Sequence, residues 1–287
     1  MPQVINSNIV SLNAQRSLST SQTSLATSMQ RLSSGLRVNS AKDDAAGLGI
    51  AERMTSPVRV MNVAVRNAND GISLTQTAEG SLGKVADSLQ RMRELAVQSA
   101  NATNSDSDKD SLDKEFGELS KEVQRVISGT SFNGLKVLAG NAGDLSFQVG
   151  ANTSSNDTIT ITTTDMTGDA NITAVAGTDS SGTGRALIDK SASASDVRTV
   201  IGNIDKAIDA VSSQRATLGA SQSRFDAVIS NLQIGAENQT AAKSRIMDTD
   251  YAAETANLSR ANILQQAGNA MVAQANQLPS QVLQLLR

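Results

Sequence analysis

The stretch SDVRTVIGNIDKAIDAVSSQRATLGASQSRFDAVISNL, residues 195–232, decides the fold. Val197, Ile201, Ile204, Ile208, Val211, Leu218, Phe225, Ile229 and Leu232 fall on one seam, in which Arg215 and Gln222 are the polar interruptions and the gaps alternate 4 and 3. Such spacing keeps one stripe of a helix turned toward a partner, which is the signature of coiled-coil packing. At ~1.5 Å per residue the stretch spans roughly 57 Å as a helix. That is too long for an ordinary element of a compact domain in a 287-residue chain.

Working outward, a second seam runs through Met61, Val65, Ala68, Ile72, Thr75, Ala78, Leu82, Val85, Leu89, Met92 and Ala96. It tolerates Gly71, Gly80 and Gly83, each costing up to about 1 kcal/mol against Ala in a helix. A shorter seam is Leu112, Phe116, Leu119, Val123 and Val126, reached through a polar turn at 101–110. Pro57 is expected to break a short helix at about 45–56 from the long one that follows. Between the helical arms, Leu145, Phe147 and Val149 alternate with polar residues, as do Ile159 and Ile161 with threonines. These are strand signals, and Asn133-Gly134 is a turn dipeptide.

The chain ends form a separate class. Residues 1–35 and 255–287 contain no acid, and their only basic residues are Arg16, Arg31, Arg260 and Arg287. Leu18, Leu25, Met29, Leu32 and Leu36 share a helical face, and Ile5, Ile9 and Leu12 another. Near the C-terminus Leu264, Gly268, Met271, Ala275, Leu278, Val282 and Leu285 again alternate 4 and 3. Alone, each helix would be marginal in water, so the ends are expected either as disordered tails in isolation or as helices ordered by packing several copies. The fold expected is mainly α: an elongated antiparallel coiled-coil bundle formed by the N- and C-terminal arms. A small β-hairpin region lies at the middle of the chain.

Composition narrows the chemistry. There is no Cys, His or Trp, and aromatic residues make up 2%. Disulfides, thiol nucleophiles, Ser-His-Asp triads and His or Cys metal sites are excluded. Carboxylate, lysine and Ser–Lys chemistries stay open, but no constellation supports them, so no enzyme, cofactor or metal is expected. The net charge of −3 provides no basic excess for nucleic acid. No apolar run is long enough to span a bilayer, and the N-terminus has no basic-then-apolar leader. The acid pairs Asp43/Asp44 and Asp248/Asp250 are expected to start helices or to form inter-subunit ion pairs, not to hold a cation.

At this point the residues resemble a family. LSSGLRVNSAKDDAAGLGIAERM (32–54), RNANDGISLTQTAEG (66–80), LQRMRELAVQSAN (89–101) and FNGLKVL (132–138) are similar to the N-terminal half of bacterial flagellin. SRIMDTDYAAETANLSRANILQQAGNAMVAQANQ (244–277), ending in Leu285-Leu286-Arg287, resembles its C-terminal end.

The resemblance implies a subunit that polymerises into the extracellular flagellar filament for swimming. Residues 1–44 with 243–287 would form inner-tube helices, and 45–149 with 191–242 an outer helical bundle with a β-hairpin. Residues 150–190 would be a short, variable, surface-exposed region. The implied inner-tube packing residues are Leu25, Met29, Leu32, Leu36, Leu264, Met271, Leu278, Val282, Leu285 and Leu286. The implied partners are other copies of the chain, the flagellar cap, hook–filament junction proteins, an export chaperone and the type III export apparatus, with secretion requiring no cleaved signal peptide. Gln90, Arg91, Glu94, Leu95, Gln98 and Glu115 match the part of flagellin recognised by Toll-like receptor 5, and Arg91, Glu94, Leu95 and Gln98 have the spacing of one helix face. Packing against a neighbouring subunit is the competing role for that face. The alternative readings are a hook–filament junction protein and a coiled-coil adhesin.

Overall fold

The computed structural model describes residues 7–140, 142–150, 152 and 154–285, with side chains described as far as residue 277. The helices are α1 (Ile9–Ser34), α2 (Ala45–Ser99), α3 (Asp106–Gly129), α4 (Ala170–Ala176), α5 (Ala194–Met247) and α6 (Tyr251–Leu285). The strands are β1 (Ser131–Phe132), β2 (Leu135–Lys136), β3 (Asp144–Gln148) and β4 (Thr158–Thr162). Two compact units result: residues 1–58 with 237–287, and residues 59–236. α2 and α5 contribute residues to both.

In the second unit α2 and α5 run antiparallel. Arg93 Nε donates to Asp205 Oδ1 at 2.7 Å, and Phe225 lies on Gly71. The expected α5 seam is the one buried: Val197, Ile204, Val211, Leu218 and Phe225 are core residues, and Ile201, Ile208 and Ile229 pack at its edge. Leu232 is half-buried. The polar interruptions have a use. Gln222 Nε2 donates to Glu79 Oε2 at 3.1 Å, and the Arg215 guanidinium stands 3.6 Å from Glu79 Oε1. Gly71 is required by close approach, since a Cβ there would stand 2.7 Å from Phe225 Cζ.

α2 does not break at Pro57. The helix runs through it, because the carbonyl that loses its helical donor belongs to exposed Arg53, within reach of water. The turn before α3 is shorter than expected. It ends at a capping box, in which Ser105 Oγ accepts from Asp108 N and Asp108 Oδ2 accepts from Ser105 N at 3.0 Å. Ser193 and Asp196 close the same reciprocal cap at the start of α5.

The buried face of α3 is rotated from the expected seam. It carries Asp113, Phe116, Gly117, Ser120, Val123, Gln124 and Ile127, while Leu112, Leu119 and Val126 sit at the margin. The polar members are all satisfied by one segment. Ser120 Oγ donates to the Ala176 carbonyl at 2.7 Å, Gln124 Nε2 donates to the Gly177 carbonyl, and Asp113 pairs with Arg185. Periodicity counts apolar residues only, so it points past a face on which three of the seven positions are polar and paired.

Both hairpins form where the alternation places them. β1 and β2 pair across Asn133 (φ 49°) and Gly134 (φ 80°), both in the left-handed region that a two-residue hairpin turn needs. β3 pairs antiparallel with β4, Leu145 opposite Ile161 and Phe147 opposite Ile159. Ile159 and Ile161 enter the core, and Phe147 meets Phe225 edge-on at 5.7 Å.

Residues 150–190 differ from the exposed region expected of them. Ile159, Ile161, Met166, Ile172, Val175, Ala176 and Ile188 are core residues, and the helix α4 lies within the segment. Apart from the Ile159/Ile161 alternation, the apolar residues of this stretch are thinly spread among Thr, Gly and Ser, so the rest shows no strong period. Their burial comes from α3 offering polar anchors that dock the segment.

Candidate assembly surface

The first unit is built from the two acid-poor ends. α1 starts at Asn8, whose Oδ1 accepts from Ser11 N at 3.0 Å, and stops at Gly35, φ 70°. α6 starts at Asp250, whose Oδ1 accepts from Ala252 N at 2.9 Å. Asp44 likewise accepts from Gly47 N in the first turn of α2. Asp43 binds Ser40, and its hydroxyl and then its N–H hold the Asp43 carboxyl below the ordinary value. Asp248 accepts from Ser244 Oγ at 2.6 Å. The acid pairs therefore serve local turns and helix starts.

α1 and α6 pack antiparallel. Asn8 Nδ2 donates to the Ala275 carbonyl at 2.7 Å, Leu18 lies on Gly268, and Arg31 faces Glu254 at 3.8 Å. The inward stripe of α1 is Ser11, Ala14, Leu18, Ser21, Leu25, Ser28 and Leu32, and that of α6 is Glu254, Leu258, Ala261, Gln265, Gly268, Val272 and Ala275. Both alternate 3 and 4 residues. Half of the members are Ser, Ala or Gly, interleaved with Leu18, Leu25, Leu32 and Leu258, and at Gly268 a Cβ would stand 3.1 Å from Leu18 Cδ1. The helices meet closely through small side chains, at a cost in buried apolar area.

A second set of large apolar residues points elsewhere. Ile9, Val10, Leu12 and Met29 of α1, and Ile263, Leu264 and Met271 of α6, are each more than half exposed. Of the expected inner-tube residues, Leu25 and Leu32 lie on the inward stripe, whereas Met29, Leu264 and Met271 face away from it. Leu36 does not continue the α1 face. It follows the Gly35 stop, bridges to Asp248, and packs with Val38, Ala51 and Met247. Ile5, Leu278, Val282, Leu285 and Leu286 lie outside the residues whose side chains are described.

The second candidate patch lies on α2 and α3. Gln90, Arg91, Glu94, Gln98 and Glu115 are exposed. Leu95 is not part of that surface: it is 1% exposed and packs in the core beside Met92 and Ala96. Four-residue spacing on a helix leaves a 40° offset, and the core edge of α2 falls within it. Arg91 Nε donates to Glu115 Oε1 at 2.9 Å and Nη1 to Glu94 Oε2 at 2.9 Å. Hydrogen bonding first to Glu94 and then to Glu115 raises the guanidinium pKa, so it is a fixed cation. Among the described residues no group of three acids stands together as a metal site, and no helix is long and apolar enough to cross a membrane.

The fold is thus a helical bundle in which α1 and α6 pair with one another and leave a set of large apolar side chains outside. The bacterial flagellin N-terminal helical region matches residues 5–143, and the bacterial flagellin C-terminal helical region matches 201–286. The flagellin of Halalkalibacterium halodurans is 44% identical over 284 residues, covering 99% of this chain and 100% of that protein. The flagellin of Bacillus subtilis is 42% identical over 305 residues, covering 99% of each. The chain belongs to the bacterial flagellin family. It is a structural subunit that polymerises into the extracellular flagellar filament, and the hook–filament junction alternative is not favoured.

Proposed function

We propose that α1 and α6 form the core of that filament, and that neighbouring copies cover the outward apolar faces. Residues 1–44 with 243–287 act as the inner layer, and 45–149 with 191–242 as the outer bundle. One observation carries the reading: outside the α1–α6 seam, Ile9, Leu12, Ile263 and Leu264 are each more than half exposed, left in water by the subunit itself. Covering a large apolar side chain is worth roughly 1.5–3 kcal/mol, so a row of them on each subunit provides a drive for assembly. Copies related by one repeated screw operation give an open filament.

The test is Leu12→Gln with Leu264→Gln. The subunit keeps its helical circular dichroism as a monomer, and elongation from sheared seeds is lost. Unchanged elongation overturns the reading.

The same reading brings the partners that the family resemblance implies: a type III export apparatus, an export chaperone on the C-terminal segment, junction proteins and a cap. Toll-like receptor 5 is proposed to contact Gln90, Arg91, Glu94, Gln98 and Glu115. Their exposure and the fixed Arg91 cation support this.

A further inference from the structure

Two thioethers stand among the outward apolar residues. Met29 is 58% exposed on α1 and Met271 is 64% exposed on α6. Met92, Met166 and Met247 are buried, and Met54 and Met61 are half-buried. Met271 shares its helix face with Leu264, seven residues earlier, and Met29 lies off the inward stripe of Leu25, Ser28 and Leu32. The chain has no cysteine to intercept an oxidant first. Thioether sulfur is attacked in proportion to its exposure.

We infer that Met29 and Met271 are oxidation sites through which peroxide blocks assembly of the free subunit. In the step, a sulfur lone pair attacks one oxygen of hydrogen peroxide. The O–O bond breaks, an S–O bond forms, and after proton transfer the leaving hydroxide departs as water. Sulfur is oxidised by two electrons and the peroxide is reduced by two. The product carries a strong polar S–O dipole on a face that neighbouring copies would desolvate. The fold survives because neither side chain lies in the core. Once covered in the polymer, both sulfurs are shielded, so the free subunit is the sensitive form. This rests on the assembly face proposed above.

The experiment uses full-length monomer treated with dilute hydrogen peroxide. Peptide mass spectrometry locates sulfoxides, and elongation from untreated seeds is timed. Sulfoxide forms first at Met29 and Met271, and elongation slows by at least about tenfold. Methionine sulfoxide reductases with dithiothreitol restore it. The double variant Met29→Leu, Met271→Leu elongates after the same treatment. The inference is overturned if doubly oxidised subunit elongates at the untreated rate, or if reductase repair of these two sites does not restore it. The assembly-face reading fails separately: untreated Met29→Gln, Met271→Gln would then elongate normally. If that variant is blocked while peroxide spares both sulfurs in the monomer, the face stands and the oxidation inference falls.

Discussion

Arg185 grips the Asp113 carboxylate of α3 through both terminal guanidinium nitrogens, Nη1 lying 2.9 Å from Oδ1. The same carboxylate accepts from Ile188 N at 3.0 Å. One acid thereby pins residues 185–188 to α3, and Ile188 follows into the core. Asp113→Asn keeps the shape, removes the charge and leaves Arg185 without its counter-ion. Urea unfolding of the monomer should show a loss of about 2–3 kcal/mol. Ile188→Ala should couple to it, because the pair exists to seat that residue.

The same pair predicts an acid dependence. Burial acts to raise the Asp113 carboxyl, and the Arg185 and Ile188 hydrogen bonds outweigh it, leaving the group below its ordinary value of 3.8. A depressed carboxylate stabilises fully above its unfolded pKa and loses that contribution as pH falls through the folded value. The stability difference between the native chain and Asp113→Asn should therefore be constant from about pH 6 to 8 and shrink below about pH 4. Urea midpoints across that range measure it. A difference that grows toward acid would show the sign to be wrong.

Gly71 and Phe225 are a matched pair in the second unit. Ala is the better helix former by about 1 kcal/mol, so an unpacked site would gain from Gly71→Ala. Here the new methyl collides with a buried ring, and the thermal midpoint should fall, by about 1–3 kcal/mol of stability. Phe225→Leu alone opens space and also destabilises. Combining the two should recover part of the loss, and a double-mutant cycle reads the coupling directly.

The candidate receptor patch separates into surface and core. Arg91→Ala should weaken binding to Toll-like receptor 5 while leaving the melting curve almost unchanged, since all its bonds lie at the surface. Leu95→Ala should cost about 2–4 kcal/mol of stability by opening a cavity among Met92, Ala96 and their neighbours. Any binding loss in that variant should track its unfolded fraction. Parallel melting and binding titrations distinguish the two routes.

Much of this architecture was legible in residue spacing. The α5 seam from Val197 to Phe225 is buried as its alternation implied, and Asn133-Gly134 turns the first hairpin. Pro57 misled, because helix continuity depends on whether the orphaned Arg53 carbonyl can meet water. Leu95 misled because spacing groups four neighbours on a face without locating the edge of the core. Asp113, Ser120 and Gln124 were passed over as polar, although reciprocal partners in 176–188 bring them inside. The Ser105/Asp108 and Ser193/Asp196 caps could have been read from the pattern of Ser followed three residues later by an acid.

The two ends show most clearly what each level decides. The sequence alone determined that both ends carry helical apolar stripes without acids, and left open whether they order in the single chain; the structure has them as α1 and α6. The alternation on α6 groups Leu264, Gly268, Met271 and Ala275 on one seam, and the structure divides it: Gly268 and Ala275 face α1, whereas Leu264 and Met271 face out. Spacing of 3 and 4 residues cannot say on which side of that seam the partner helix sits. Only the tertiary structure chose. Gly268 lets Leu18 of α1 approach closely, because it has no Cβ to hold the helices apart, while Leu264 and Met271 find no surface of α1 beside them and stay exposed.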